Sequence, residues 1–152
     1  MDNLKQRDPG ASALLTDLYQ LTMLQTYFEH GMNGTSVFEL FFRRLPPGHR
    51  NFFLAAGLAQ VLDFLEGLQF RADELEWLAR ENRFTPKFID QLARMRFTGD
   101  VDAVPEGTVL FANEPIARIV APLPEAQLVE TRLMNLLHFQ TMIASKAARA
   151  AI

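Results

Sequence analysis

Cysteine is absent from the 152 residues, and tryptophan (one), tyrosine (two) and histidine (three) are scarce. Without thiols there is no disulfide framework, no thiolate zinc site and no cysteine nucleophile, a pattern that fits a reducing cytosol. The three imidazoles are His30, His49 and His138. His138 has no second ligand three or four positions away, so a metal site built wholly from this chain is not expected. Charge of one sign is also lacking: fifteen Lys and Arg face eighteen Asp and Glu, for a formal net charge of −3. That leaves no global positive field to draw the chain onto phosphate backbones, which removes nucleic acid as a main partner. No apolar run approaches the roughly 18 residues of a membrane-spanning helix. The polar start, Met1 to Gly10, lacks the basic-then-apolar order of a signal peptide. The expectation is a soluble, cytoplasmic protein without membrane contact. The glycine-rich phosphate loops, H-E-x-x-H and G-x-S-x-G are missing too, and with them the mechanisms their geometry would supply.

What is present is 49% hydrophobic residues in a chain of single-domain length. Such a chain buries roughly 68–70% of the surface its unfolded form exposes. After a flexible start over residues 1–13, Leu14 to His30 reads as a helix. Thr16 or Asp17 serves as N-cap, Gln20 stands at capping-box spacing, and Gly31 is a suitable C-cap. Leu14, Leu18, Leu21, Leu24 and Phe28 form its expected buried stripe, with Tyr19, Met23 and Tyr27 on another face. Tyr19 is either a half-buried packing aromatic or a contact to something else.

Thr35 to Leu45 is rich in β-branched and aromatic residues and stops at Pro46-Pro47-Gly48, which predicts a strand and a turn. Phe38, Leu40 and Phe42 share one face of it. Arg43 and Arg44 at its end read as a solvated rim or an anion contact. Leu54 to Leu68 is expected to be a helix with Leu54, Leu58, Val61, Leu62 and Leu65 inward. Asp73 to Arg80 and Pro86 to Met95 follow as shorter helices, the second capped by Thr85 with Pro86 at its first position. Asp73, Glu74 and Glu76 read as a solvated acidic face with no acid–base pairing.

From Phe97 the texture changes to short strands punctuated by Pro and Gly, which predicts a small all-β unit. From Glu125 to the end no breaker occurs, so 125–152 reads as one long helix, and its unbraked last residues read as a cut. Its wide apolar faces flank a polar seam of Thr131, Asn135, His138, Ser145 and Arg149, facing either solvent or a polar cavity. The residues themselves thus define an α+β domain without naming a reaction.

Five blocks carry a resemblance: LLTDLYQLTM at 14–23, FELFFRRLP at 38–46, AAGLAQVLDFL at 55–65, FTGDVDAVPEGTVLFANEP at 97–115 and EAQLVETRLMNLLHFQTMIASKAAR at 125–149. Together and in this order they resemble nicotinate phosphoribosyltransferase, in its N-terminal part. The resemblance implies an N-terminal α/β sandwich domain over 14–124, containing the small β unit, and a helix over 125–152 leading into a TIM-like barrel that this chain does not reach. It implies transfer of the phosphoribosyl group of phosphoribosyl pyrophosphate to the ring nitrogen of nicotinate, giving nicotinate mononucleotide and pyrophosphate on the way to NAD. ATP hydrolysis is commonly coupled, with Mg²⁺ on the phosphates.

Within the T-D-L-Y block, the resemblance assigns Tyr19 to stacking on the pyridine ring. Asp17 stands beside it, in a site completed by a neighbouring subunit of a homo-oligomer. Ser145 and Arg149 in the A-S-K-A-A-R stretch are candidate contacts to the anionic substrates, by bidentate pairing in the case of Arg149. The catalytic residues and the Mg²⁺ and ATP contacts are expected mainly in the barrel, so the segment alone is expected to be inactive. The competing expectation is a non-catalytic split or truncated chain that binds a barrel-carrying partner. A related enzyme of nicotinamide or quinolinate is a third, which the T-D-L-Y and V-P-E-G-T blocks disfavour.

Overall fold

A computed structural model describes Gly10, residues 12–44 and residues 51–150. The Pro46-Pro47-Gly48 turn, His49 and most of the 1–13 segment lie outside the described residues. Among the described residues five helices and five strands follow in the order α1 (Leu18–Glu29), β1 (Thr35–Phe41), β2 (Phe53–Leu54), α2 (Leu58–Glu66), α3 (Ala72–Arg80), α4 (Pro86–Arg94), β3 (Asp100–Ala103), β4 (Val109–Leu110), β5 (Pro115–Pro122) and α5 (Leu123–Ala150).

Local chemistry sets several boundaries as expected. Thr85 caps α4, its hydroxyl accepting from the Phe88 N–H at 3.3 Å, and Pro86 occupies the first turn, where a missing N–H costs nothing. At the end of α1, Gly31 takes a left-handed φ of +64°, one residue past the C-cap His30. The Met32 N–H then closes back on the Tyr27 carbonyl at 2.8 Å, a Schellman closure. In β1, Phe38 and Leu40 alternate with exposed neighbours, as the period-two pattern predicts.

The sheet departs from expectation. β3, β4 and β5 do not form a unit of their own. β5 lies in the centre of a three-stranded antiparallel sheet in the order β1-β5-β3, while β4 pairs with β2 in a separate two-stranded ribbon. Phe38 stands opposite Ile119 and Val101 also opposite Ile119, so one apolar face runs across all three strands. The register slips between Leu40 and Phe41. Pairing with β1, some eighty residues earlier, is a long-range event that local punctuation cannot reveal.

That apolar face packs on α5, which also meets α1, α2 and β2. Val129, Leu133 and Leu137 are buried against it, so α5 is the spine of the same core as the preceding elements. It begins at Leu123, two residues before the expected start. Leu24, Val61, Leu92 and Phe88 complete the core from the other helices. At about 25 cal/mol per Å² of apolar surface removed from water, each such side chain contributes on the order of 1.5–3 kcal/mol.

Three further corrections are physical. Residues 54–57 do not start the second helix: Leu54 is in β2, and Gly57, at φ +102°, turns the chain into α2. Leu62 is consequently exposed and Phe64 buried. In α1, Leu18 is exposed while Gln20 is fully buried, and Gln20 makes no capping box because its side chain crosses to α5. In α3, Glu74 is buried rather than solvated. Its carboxylate accepts from the Ser12 hydroxyl and from the Arg71 N–H at 2.8 Å, and pairs with the Arg71 guanidinium at 2.9 Å. No helix among the described residues is long and apolar enough to cross a membrane.

Candidate functional site

The N-terminus of α1 meets the first half of α5 through polar side chains. Asp17 is the N-cap in extended conformation, and Tyr19 stands one residue inside the helix with 47% of its surface exposed. The Tyr19 hydroxyl accepts from Gln20 Nε2 at 3.0 Å. The Thr131 hydroxyl donates to Asp17 Oδ2 at 3.2 Å and accepts from the same Gln20 amide at 3.1 Å.

Behind this rim, Glu130 Oε2 accepts from Gln20 Nε2 at 3.0 Å and from Gln127 Nε2 at 2.9 Å, and the Gln127 amide also donates to Gln20 Oε1 at 2.5 Å. Buried amides in this number persist only because their donors and acceptors are matched. Glu130 also lines a cavity of about 250 Å³ between α5 and the sheet, whose walls include Phe38, Leu40, Ile119 and Leu133. The exposed Tyr19 and Asp17 are not among its lining residues.

Ser145 and Arg149 lie elsewhere. Along the helix axis they are roughly 21 and 27 Å from Thr131 at 1.5 Å per residue. Ser145 is fully buried; its hydroxyl accepts from the Leu54 N–H at 2.8 Å and donates to the Thr141 carbonyl at 2.5 Å. Thr141, one turn earlier, bonds both the N–H and the carbonyl of Ala56 at 3.2 Å. The polar seam of α5 is therefore divided. Its buried member Ser145, with the neighbouring Thr141, holds residues 54–56, while Asn135 and His138 are exposed. His138 lies against the Phe42 ring at 5.6 Å between centroids. Arg149 places its guanidinium 6.0 Å from the centroid of the Phe52 ring, and its Nη1 is buried without a hydrogen-bond partner among the described residues. Arg43 and Arg44 are exposed.

The structure thus brings Asp17 and Tyr19 together and does not bring Ser145 and Arg149 to them. Gln127 and Glu130 went unnoticed in the sequence because glutamine and glutamate on a long helix are ordinary surface residues. The available signal was Gln20, a polar residue directly beside the buried Leu21 and Leu24. Among the described residues no group of three or more His, Cys, Asp or Glu side chains could hold a metal ion. The Glu130 oxygen that faces the cluster already accepts two amide protons, so the arrangement does not fit a bound cation.

A mixed α+β domain with an open, anchored tyrosine at one helix start is the class that fold and site define together. The human nicotinic acid phosphoribosyltransferase crystal structure shares this fold with a TM-score of 0.80 at 37% identity, over 89% of this chain and 28% of that one. The nicotinate-nucleotide pyrophosphorylase of Pyrococcus furiosus, at 18% identity and a TM-score of 0.62, shares the fold alone. The profile of the nicotinate phosphoribosyltransferase N-terminal domain matches residues 14–138. Nicotinate phosphoribosyltransferase pncB2 of Mycobacterium tuberculosis is 54% identical over 137 residues, covering 90% of this chain and 29% of its own length. The Bacillus subtilis nicotinate phosphoribosyltransferase is 44% identical over 138 residues, 28% of its length. The chain belongs to the nicotinate phosphoribosyltransferase family, matching its N-terminal domain, and it spans less than a third of the length of these relatives.

Proposed function

We propose that this domain serves a nicotinate phosphoribosyltransferase by presenting Tyr19 and Asp17 to nicotinate. The observation that carries the reading is the open Tyr19 ring tethered at its hydroxyl by a buried amide. A planar, electron-poor pyridine binds well against an aromatic face, worth roughly 0.5–1.5 kcal/mol beyond area burial. A tethered ring also restricts the orientation in which the pyridine nitrogen meets the ribose C1 of phosphoribosyl pyrophosphate. In the reaction the nitrogen–C1 bond forms, the C1–oxygen bond breaks, and pyrophosphate departs with its bonding electrons.

Charge develops at the sugar and on the leaving group, and catalysis of such a step needs positioned cations and dipoles. The cluster around Tyr19 contributes two carboxylates and neutral groups, which suits orientation of the ring rather than leaving-group stabilisation. The electrostatic work, with Mg²⁺ and ATP, is assigned in this proposal to a barrel portion. One ring cannot touch both Tyr19 and Arg149 within one chain. In this proposal Tyr19 closes the site of a neighbouring subunit in a homo-oligomer, as the family resemblance implies.

The test is formation of nicotinate mononucleotide and pyrophosphate from nicotinate and phosphoribosyl pyrophosphate. The intact enzyme carrying this domain is expected to make both products, and the 152 residues alone to make neither. Turnover by the isolated chain at the rate of full-length relatives would overturn the division of labour. Absence of turnover by the intact enzyme, with nicotinamide or quinolinate accepted instead, would overturn the substrate.

A further inference from the structure

Gln20 is 0% exposed although it stands in the first turn of α1, where side chains are ordinarily wet. A buried amide left unmatched costs about 1–3 kcal/mol, so its retention among leucines has to be explained by the bonds it makes. Those bonds have a fixed sense. Glu130 presents a carboxylate, which only accepts, so the NH₂ end of Gln20 faces it at 3.0 Å. The opposite end, Oε1, accepts from Gln127. One of the two Nε2 protons lies on Glu130, so the other is shared between the Tyr19 hydroxyl at 3.0 Å and the Thr131 hydroxyl at 3.1 Å, both of which stand as acceptors toward it. Thr131, held as an acceptor, turns its own proton to Asp17.

We propose that Gln20, locked by Gln127 and Glu130, is a positioning residue that orients both exposed contacts, Tyr19 directly and Asp17 through Thr131. The proposal rests on the reading that Tyr19 meets the nicotinate ring. Its chemical content is specific. The Tyr19 oxygen is used as an acceptor, so the ring is held at a fixed angle on α1 and its hydroxyl proton is left to donate outward, toward an anionic group of the ligand. The Asp17 carboxylate is likewise held on one oxygen, Oδ2. A single buried amide thereby couples two side chains that sequence spacing alone places on different faces of the helix start.

The experiment is steady-state kinetics of the intact enzyme with Tyr19→Phe, Gln20→Met and the double variant, with Tyr19→Ala as reference and melting temperatures recorded for each. Tyr19→Phe removes one acceptor of Gln20 Nε2 and keeps the ring, while the Glu130 and Thr131 acceptors remain for the amide. One lost hydrogen bond predicts a rise of about three- to tenfold in KM for nicotinate, larger than any change in kcat. Gln20→Met is expected to raise the same KM, and the double variant to fall short of the product of the two single effects. A merely structural Gln20 would give effects that multiply, tracking loss of melting temperature. An unchanged KM in Tyr19→Phe, or fully multiplicative effects, overturns the positioning role. If Tyr19→Ala raises KM while Tyr19→Phe does not, only the positioning role falls; if Tyr19→Ala also leaves KM unchanged, the ring-contact reading falls with it.

Discussion

Glu106, in the turn between β3 and β4, reaches the first turn of α2, where its carboxylate accepts from the Gly57 N–H at 2.9 Å. The Ala59 N–H lies on the same oxygen at 3.3 Å. The carboxylate satisfies two of the orphan donors of that helix start and sits at the positive end of its dipole. The V-P-E-G-T block is thereby explained as architecture. Its Thr108 hydroxyl donates to the Pro105 carbonyl at 2.6 Å, and its Gly107 N–H donates to the Ala55 carbonyl at 2.8 Å.

Loss of this cap is expected to cost stability without touching the substrate. Glu106→Ala should lower the unfolding free energy by about 0.5–2 kcal/mol, the usual range for a lost N-terminal cap. Urea titration followed by circular dichroism checks it through the midpoint, with the slope unchanged. A midpoint equal to that of the wild type would show that the contact contributes nothing.

Ser145→Ala is expected to destabilise, because the Leu54 N–H loses its acceptor at the buried junction of β2 and α5. The penalty for an unmatched buried donor is about 1–3 kcal/mol. The same denaturation assay measures it, and KM values for either substrate should not move. A raised KM with unchanged stability would return Ser145 to the substrate contacts suggested by the resemblance.

How much of this was legible in the sequence follows the range of the interactions. α4 was readable to within one residue because Thr85 and Pro86 act on their immediate neighbours. β2 and β4 were not, since each spans two residues and exists only through pairing with the other. Leu54 and Leu58 fit a helical period by spacing, but the left-handed Gly57 between them resets the chain. Gln20 had the right offset for a capping box. Acceptors on α5, 110 and 111 residues away, won the side chain instead. For Tyr19, periodicity left packing and ligand contact open. At 47% exposure the ring is half-buried, which fits both readings, and the family directs the test to the second.

The outer side of α5 gives a further expectation. Phe139 and Ile143 are exposed one turn apart, at 60% and 52%, with Met134 also open. Apolar patches of this kind on a lone chain favour association. The 152-residue chain is expected to self-associate with rising concentration, visible as a light-scattering mass above 17.3 kDa. A monodisperse monomer across that range would contradict it.

The most direct test of the central claim, that Tyr19 meets the nicotinate ring, is the KM for nicotinate of the intact enzyme carrying Tyr19→Ala, alongside its melting temperature. Loss of a stacked ring predicts a rise of about tenfold or more in KM with little change in melting temperature, since Tyr19 is half exposed. A KM equal to that of the wild type in a folded variant would contradict the account.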